Sequence, residues 1–157
     1  MGYYVRAFCT SPEVPCIKIV LADLQNRGLA VRAEVDDEAK LVSADWSQFD
    51  LFYKPDKKPV VVECNRDDGD ESLCRKECNE FIEEIHELDD TPSRDRVIGH
   101  LKRTTFVVVC QLLSDIDDDG YTANGEFLAY FVRHCGGLVQ ADGEGFYEGD
   151  EITLDMG

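Results

Sequence analysis

The residues that most constrain the fold are 104–113, a nearly continuous apolar run in the last third of the chain. Four β-branched side chains stand in its first half, at Thr104, Thr105, Val107 and Val108. Such residues favour strands, and an unbroken apolar run is typical of a strand in the middle of a sheet. The segment therefore predicts a central strand, to which the other elements must attach.

Strands and helices are predicted around this segment. Alternating or β-rich stretches predict strands at 3–9, 30–35, 49–53 and 60–64, and shorter strands at 138–141, 145–148 and 151–154. Apolar residues at helical spacing predict four helices. The first runs from residue 11 to Gly28, the second covers 71–88 after an Asp70 cap, the third follows Thr91-Pro92, and the fourth ends at Gly136-Gly137.

These elements predict an α+β fold, with a mixed β-sheet and about four helices in a single compact domain over residues 1–157. One domain is the default at a length of 157 residues. A weak internal similarity relates residues 3–35 to residues 104–141, since each has the order strand, helix, glycine turn and strand. The repeat favours a ferredoxin-like fold or a duplicated β-α-β arrangement.

The charge of the chain is strongly negative and unevenly distributed. There are 33 Asp and Glu against 16 Lys and Arg, a formal net charge of −17. Residues 1–62 carry −1, residues 63–103 carry −6 and residues 104–157 carry −10. Binding to nucleic acid or to anionic lipid requires clusters of basic side chains, so we expect neither partner. The acidity indicates either a surface adapted to salt or a local surface for a basic partner.

The first nine residues contain no basic stretch followed by an apolar one, so they predict no secretory signal. No apolar run approaches the roughly 20 residues of a transmembrane helix. We therefore expect a cytoplasmic protein. Its seven cysteines include no Cys-x-x-Cys pair, and Cys74, Cys78 and Cys110 fall in apolar patterns. The cysteines are predicted to be mostly buried small apolar residues, with a redox or metal-binding thiol as the alternative.

Residues 115–126, with the sequence DIDDDGYTANGE, are the sharpest motif. The motif resembles the calcium loop of the EF-hand family. The resemblance implies carboxylate ligands and a backbone carbonyl at fixed positions, with Gly120 at the sharp turn: Asp115, Asp117, Asp119, Tyr121 (carbonyl) and Glu126 (bidentate). Calcium is the cation that it implies, and magnesium is the alternative. Otherwise these carboxylates would serve the N-terminus of the following helix.

A second acidic loop, residues 65–71, also follows a strand and precedes a helix. If the strands ending at Cys9, Cys64 and Leu113 are parallel, the loops after them meet at one edge of the sheet, where open α/β sheets bind ligands. Clustered carboxylates repel one another unless a cation or a basic partner neutralises them. The edge therefore predicts a cation site or a partner surface, and the alternative is three unrelated capped helices. The carboxylates predicted to bind the partner are Asp67, Asp68, Asp70 and Asp118.

Three functions follow from these patterns, in order of preference. The first is a non-enzymatic binding module whose C-terminal acidic surface engages a basic protein, as small acidic bacterial proteins that inhibit nucleases do. The second is calcium binding through residues 115–126. The third is a magnesium-dependent enzyme, which ranks last because no motif places a nucleophile or a general base.

Overall fold

The computed structural model describes residues 3–157. Met1 and Gly2, which belong to the predicted domain and to the N-terminal segment, lie outside the described residues. The predicted central strand is confirmed as β5 (Phe106–Leu112), in which six of seven residues are buried. It lies between β1 (Tyr3–Cys9) and β4 (Val60–Arg66) and runs antiparallel to both.

Eight strands form one sheet. The others are β2 (Arg32–Glu34), β3 (Gln48–Phe52), β6 (Leu138–Ala141), β7 (Gly145–Glu148) and β8 (Glu151–Asp155). Their order across the sheet is β2-β3-β4-β5-β1-β6-β7-β8. Every pair of hydrogen-bonded neighbours is antiparallel, whereas the sequence predicted a mixed sheet. Short turns join β3 to β4, β6 to β7 and β7 to β8, and a short turn connects only antiparallel strands.

Four α-helices cover the two faces of the sheet. They are α1 (Ile17–Asn26), α2 (Leu73–His86), α3 (Pro92–Arg103) and α4 (Asp118–Cys135), and a short 3-10 helix spans Glu38–Val42. Leu24 of α1 and Phe131 of α4 are buried in the core on one face. Cys78 of α2 and Leu101 of α3 are buried in the core on the other face. The central strands are therefore covered on both sides.

The helix ends follow the sequence signals, with two shifts. Thr91 caps α3 and Gly136, at φ 63°, ends α4, both as predicted. α2 begins later than predicted because the hydroxyl of Ser72, rather than Asp70, accepts a hydrogen bond from its first turn. α1 begins only after Pro15, since the residue before a proline is disfavoured in helical conformation.

The two segments with internal similarity both form strand-helix-strand units. In β1-α1-β2 and β5-α4-β6, the second strand is parallel to the first; three strands separate β1 from β2, and one strand separates β5 from β6. Both helices lie on the same face. The α+β class with four helices in one domain is confirmed, and the ferredoxin-like arrangement stays a prediction. No helix within residues 3–157 has the length and apolar character needed to cross a bilayer.

Candidate functional site

The predicted calcium loop does not have the structure of an EF-hand. The strand β5 precedes it where an EF-hand needs a helix, because the β-branched residues of 104–113 belong to the sheet. α4 already begins at Asp118, so Asp119 and Glu126 both lie in this helix, about 10 Å apart along its axis. The EF-hand interpretation is therefore wrong. Asp117 caps α4 with its side chain, as the alternative interpretation implied.

Lysines from the connection between β3 and β4 contact these carboxylates. Lys54 Nζ lies 2.7 Å from Asp117 Oδ2 and 2.6 Å from Asp119 Oδ2. Lys57 donates a hydrogen bond of 2.9 Å to the carbonyl oxygen of Asp115. The hydrogen bond from Lys54 lowers the pKa of Asp117. No three His, Cys, Asp or Glu side chains within residues 3–157 are grouped as metal ligands. Binding of calcium or magnesium at this loop stays a prediction, and the ion would have to displace Lys54.

The two acidic loops lie at opposite ends of the sheet. Asp67, Asp68 and Asp70 follow β4 at the end where β5 begins, and Asp118 lies at the end where β5 finishes. A strand of seven residues separates these ends by about 20 Å. The loops after Cys9 and Cys64 do lie at one end of the sheet, but the expectation that the loop after Leu113 joins them is wrong, because it assumed that β5 is parallel to β1 and β4. The four predicted partner-binding carboxylates are not brought together.

Asp67 already has a partner within the chain. Arg75 Nη2 lies 3.0 Å from Asp67 Oδ2, and the same nitrogen donates to the carbonyl oxygen of Thr104 at 2.7 Å. Arg75 Nη1 donates to the carbonyl oxygen of Leu101 at 3.1 Å. The hydrogen bond from Arg75 lowers the pKa of Asp67. This carboxylate therefore helps to attach the second acidic loop to the end of α3.

A different group of charges surrounds Arg6 in the middle of β1. Its side chain is only 14% exposed, and its Nε lies 2.5 Å from Glu77 Oε2. Its Nη1 donates hydrogen bonds of 2.7 Å to Gln140 Oε1 and to Asp142 Oδ1. The guanidinium carbon lies 5.4 Å from the centre of the Phe81 ring. Arg6 therefore connects β1 to α2 and to the turn between β6 and β7.

Arg6 remains a cation in this environment. Burial disfavours its charge, but the hydrogen bond with Asp142 and the charge of Glu77 raise its pKa. Burial raises the pKa of Glu77, and the charge of Arg6 partly offsets this effect. The group is a partly buried ion cluster in which removal of one member would leave an uncompensated charge.

A cleft of about 310 Å³ lies beside this cluster, between α2 and the β6–β7 turn. We call it the Arg6 cleft, and five carboxylates line it: Glu77, Glu80, Glu84, Asp142 and Glu144. Glu80, Glu84 and Glu144 form no salt bridge with a Lys or Arg of residues 3–157. The Arg6 cleft thus holds more negative charge than the lysines and arginines of residues 3–157 neutralise.

The Arg6 cleft is not evident from the sequence. The available signal was an arginine within a predicted strand, between Tyr4 and Phe8 on the same face. The contacts of this arginine depend on the antiparallel register that pairs Arg6 with Gln140, which is 4% exposed. Such a register joins residues more than a hundred positions apart, so no local pattern reveals it.

The cysteines are free thiols, and six of the seven are buried. The prediction that they are mostly buried small residues is confirmed, with Cys16 half-buried as the exception. Burial raises the pKa of Cys64 to about 12 and that of Cys135 to about 11. At neutral pH these two groups are therefore protonated and weakly nucleophilic.

Comparison of the chain with protein-family models, with curated proteins and with solved structures finds no match. Its function is therefore inferred from the chemistry of its own residues.

Proposed function

We propose that this protein is a non-enzymatic binding module that engages a basic segment of a partner protein in the Arg6 cleft. The observation that carries the proposal is the imbalance of charge in the cleft. Five carboxylates line it, and its one arginine is already bonded to two of them, Glu77 and Asp142. A further cation would relieve the repulsion among the remaining three.

The Arg6 cleft fits the chemistry of a lysine or arginine side chain. Glu80 and Glu84 are one helical turn apart on α2, so both can contact one cationic group. Phe81 and Met156 also line the cleft and offer apolar surface to the methylene groups of such a side chain. Carboxylates in a concave site focus the electrostatic field and increase the rate at which a cationic partner is encountered.

The acidic loops have a secondary place in this proposal. Asp68, Asp70 and Asp118 are exposed, so they add to the long-range field that attracts a basic partner. Asp67 is neutralised by Arg75 and adds little. The proposal thus places the partner-binding surface in the Arg6 cleft rather than at the acidic loops. The expected partner is still a basic protein that is bound by carboxylates.

The test compares variants that lose the same charge at different places. Glu80→Gln/Glu84→Gln removes two carboxylates from the Arg6 cleft, and Glu83→Gln/Glu87→Gln removes two exposed carboxylates of the same region outside it. The probe is a fluorescein-labelled lysine-rich peptide, whose binding is measured by fluorescence anisotropy at low and at physiological salt. Exposed ion pairs contribute about 0.2–1 kcal/mol each, so the cleft variant should bind about two- to thirtyfold more weakly.

The matched variant outside the cleft, and the loop variant Asp68→Asn/Asp70→Asn, are expected to bind the peptide nearly as the wild type does. Binding by the wild type should weaken as salt screens the charges. An equal loss in all three double variants would show that the peptide responds only to net charge, as expected for a surface adapted to salt. That result, or unchanged binding by the cleft variant, would contradict the proposal.

A further inference from the structure

A second cavity lies between α3 and the strands β6 and β7. Its volume is about 330 Å³, within the range of small-molecule sites. We call it the α3 pocket, and its apolar lining comes from Val97 and Leu138. Two cations and two anions also line it, although the chain as a whole has a net charge of −17. They are Arg96, Arg103, Asp95 and Glu148. The α3 pocket is therefore a locally neutral site in an acidic protein.

Arg103 lines the pocket without a partner of its own. It forms no salt bridge and no hydrogen bond within residues 3–157, and it is exposed. Its guanidinium reaches back along α3, since its Nη1 lies 3.4 Å from the position of a Cβ atom built at Gly99. An arginine has five N–H donors and no acceptor. These donors are within reach of a ligand and match one that accepts hydrogen bonds.

The other polar groups of the pocket leave Arg103 available. Arg96 Nη2 lies 3.4 Å from Glu148 Oε1, so these two charges offset each other. Asp95 lies in the first turn of α3, about two turns before Arg103, and forms no salt bridge with it. Burial lowers the pKa of His100, so its ring adds no charge near neutral pH.

The fold requires neither Arg103 nor Gly99. A basic residue near the end of a helix often bonds to the last carbonyl groups. In α3 that residue is Arg75, which donates hydrogen bonds to the carbonyl oxygens of Leu101 and Thr104 at 3.1 and 2.7 Å. Glycine within a helix is destabilising relative to alanine, yet a Cβ atom at Gly99 would meet only the guanidinium of Arg103. The glycine therefore keeps open a space that packing does not need.

We propose that the α3 pocket binds a small carboxylate with an apolar group, held by the guanidinium of Arg103 beside Gly99. The two oxygens of a carboxylate match the planar guanidinium in a bidentate pair. The apolar group covers Val97 and Leu138. An amine of the same size would leave the donors of Arg103 unpaired and meet its charge, so the pocket discriminates against it.

This inference goes beyond the proposed function and does not depend on it. The Arg6 cleft and the α3 pocket lie on the same face of the sheet but share no lining residue. They select opposite charges. A basic peptide in the Arg6 cleft and a carboxylate in the α3 pocket are therefore separate ligands with separate tests.

The experiment compares phenylacetate, 2-phenylethanol and 2-phenylethylamine by methyl NMR at constant ionic strength. At millimolar phenylacetate, the methyl resonances of Val97 and Leu138 are expected to shift. The alcohol, the amine and inorganic phosphate are each expected to bind at least about fivefold more weakly. The methyl resonance of Met156 reports binding in the Arg6 cleft. Shifts confined to Met156, no shifts at Val97 and Leu138, or equal binding of any of the other three molecules would overturn the proposal.

Two variants that lose the same charge test the contact with Arg103. Arg103→Gln should weaken phenylacetate binding at least about fivefold and abolish the preference over 2-phenylethanol. Lys102→Gln, at the preceding position of α3 and outside the lining, should bind phenylacetate as the wild type does. Both positions are exposed, so both variants should fold. Unchanged binding in Arg103→Gln, or an equal loss in the two variants, would overturn the proposal.

A third variant tests the space beside the guanidinium. Gly99→Ala should raise the melting temperature, because alanine favours the helix. It should also weaken phenylacetate binding, because the new Cβ atom occupies the space beside the guanidinium of Arg103. A raised melting temperature with unchanged phenylacetate binding would overturn the proposal.

Discussion

Replacing Gly120 by alanine is expected to destabilise the protein, although alanine is the better helix former. Gly120 lies in the first turn of α4, and a Cβ atom built there falls 2.5 Å from Ile116 Cγ1 and 2.7 Å from Tyr53 Cζ. Atoms that are not bonded do not approach so closely, so a side chain or the helix must move. Tyr53 is 9% exposed and packs in the core of this face, which leaves it little room.

Two opposing effects set the size of the change. Alanine in a helix interior stabilises by about 0.8–1.0 kcal/mol relative to glycine. An extra carbon in a well-packed region costs about 1–3 kcal/mol. The cost exceeds the gain, so Gly120→Ala should lower the free energy of unfolding by up to about 2 kcal/mol, with about 1 kcal/mol as the central value.

Gly125 of the same helix provides the matched control. A Cβ atom built there meets nothing within 4 Å, so Gly125→Ala should stabilise the protein by the full helix preference. The assay is urea denaturation followed by circular dichroism. With a slope of about 2 kcal/mol per M, Gly125→Ala should raise the midpoint by about 0.4–0.5 M, and Gly120→Ala should lower it by about 0.5 M.

A third variant identifies the contact responsible. The hydroxyl oxygen of Tyr53 lies 2.8 Å from the Cβ atom built at Gly120, and it is buried without a hydrogen-bond partner among the described residues. In a Tyr53→Phe background the cost of Gly120→Ala should fall, and a double-mutant cycle measures the difference. If Gly120→Ala and Gly125→Ala raise the midpoint equally, then Tyr53 does not pack against the first turn of α4 as the structure shows.

Two further predictions concern titration and thiol reactivity. Because Lys54 lowers the pKa of Asp117 below its usual value of 3.8, the stability from this pair is complete above about pH 5 and is lost as the pH falls through the lowered pKa. The free energy of unfolding that Lys54→Met loses relative to the wild type should therefore be constant near neutral pH and become smaller in acid. If the wild type and Lys54→Met still differ by the same amount in acid, the ion pair does not account for the loss. Only Cys16 should react with a thiol reagent in the native protein, whereas Cys64 and Cys135 should react after unfolding. Rapid reaction of the native Cys16→Ser variant would show that another cysteine is accessible, which would contradict the burial of the other six.

Local signals in the sequence suffice for most elements of the fold. The hydroxyl of Thr91 and the ring of Pro92 define the start of α3, and Gly136 defines the end of α4, because each signal acts within one helical turn. The apolar run of 104–113 predicts β5 for the same reason: burial in the middle of a sheet requires apolar side chains on both faces.

Relations between distant residues are what the sequence does not reveal. The interpretation of Asp115, Asp117 and Asp119 as calcium ligands depended on their spacing, but the lysines that contact them come from another part of the chain. Likewise, the two acidic loops share a local pattern, and only the direction of β5 places them at opposite ends of the sheet. Strand direction depends on packing of the whole domain, so a motif of twelve residues carries no information about it.

The structure shows where part of the negative charge that accumulates toward the end of the chain is located. The Arg6 cleft is lined by α2, by Arg6 of β1 and by β6 and the β6–β7 turn, which lie beyond Arg133, the last basic residue of the chain. Glu144 lies in this turn and accepts a hydrogen bond from the hydroxyl of Tyr3 in β1. A surface adapted to salt needs acidic groups only where water reaches them, whereas Glu77 in the Arg6 cleft is only 21% exposed and pairs with the buried side chain of Arg6. Solvation alone does not account for this pair, because removing two charges from water costs free energy and a purely solvating surface would gain nothing from it.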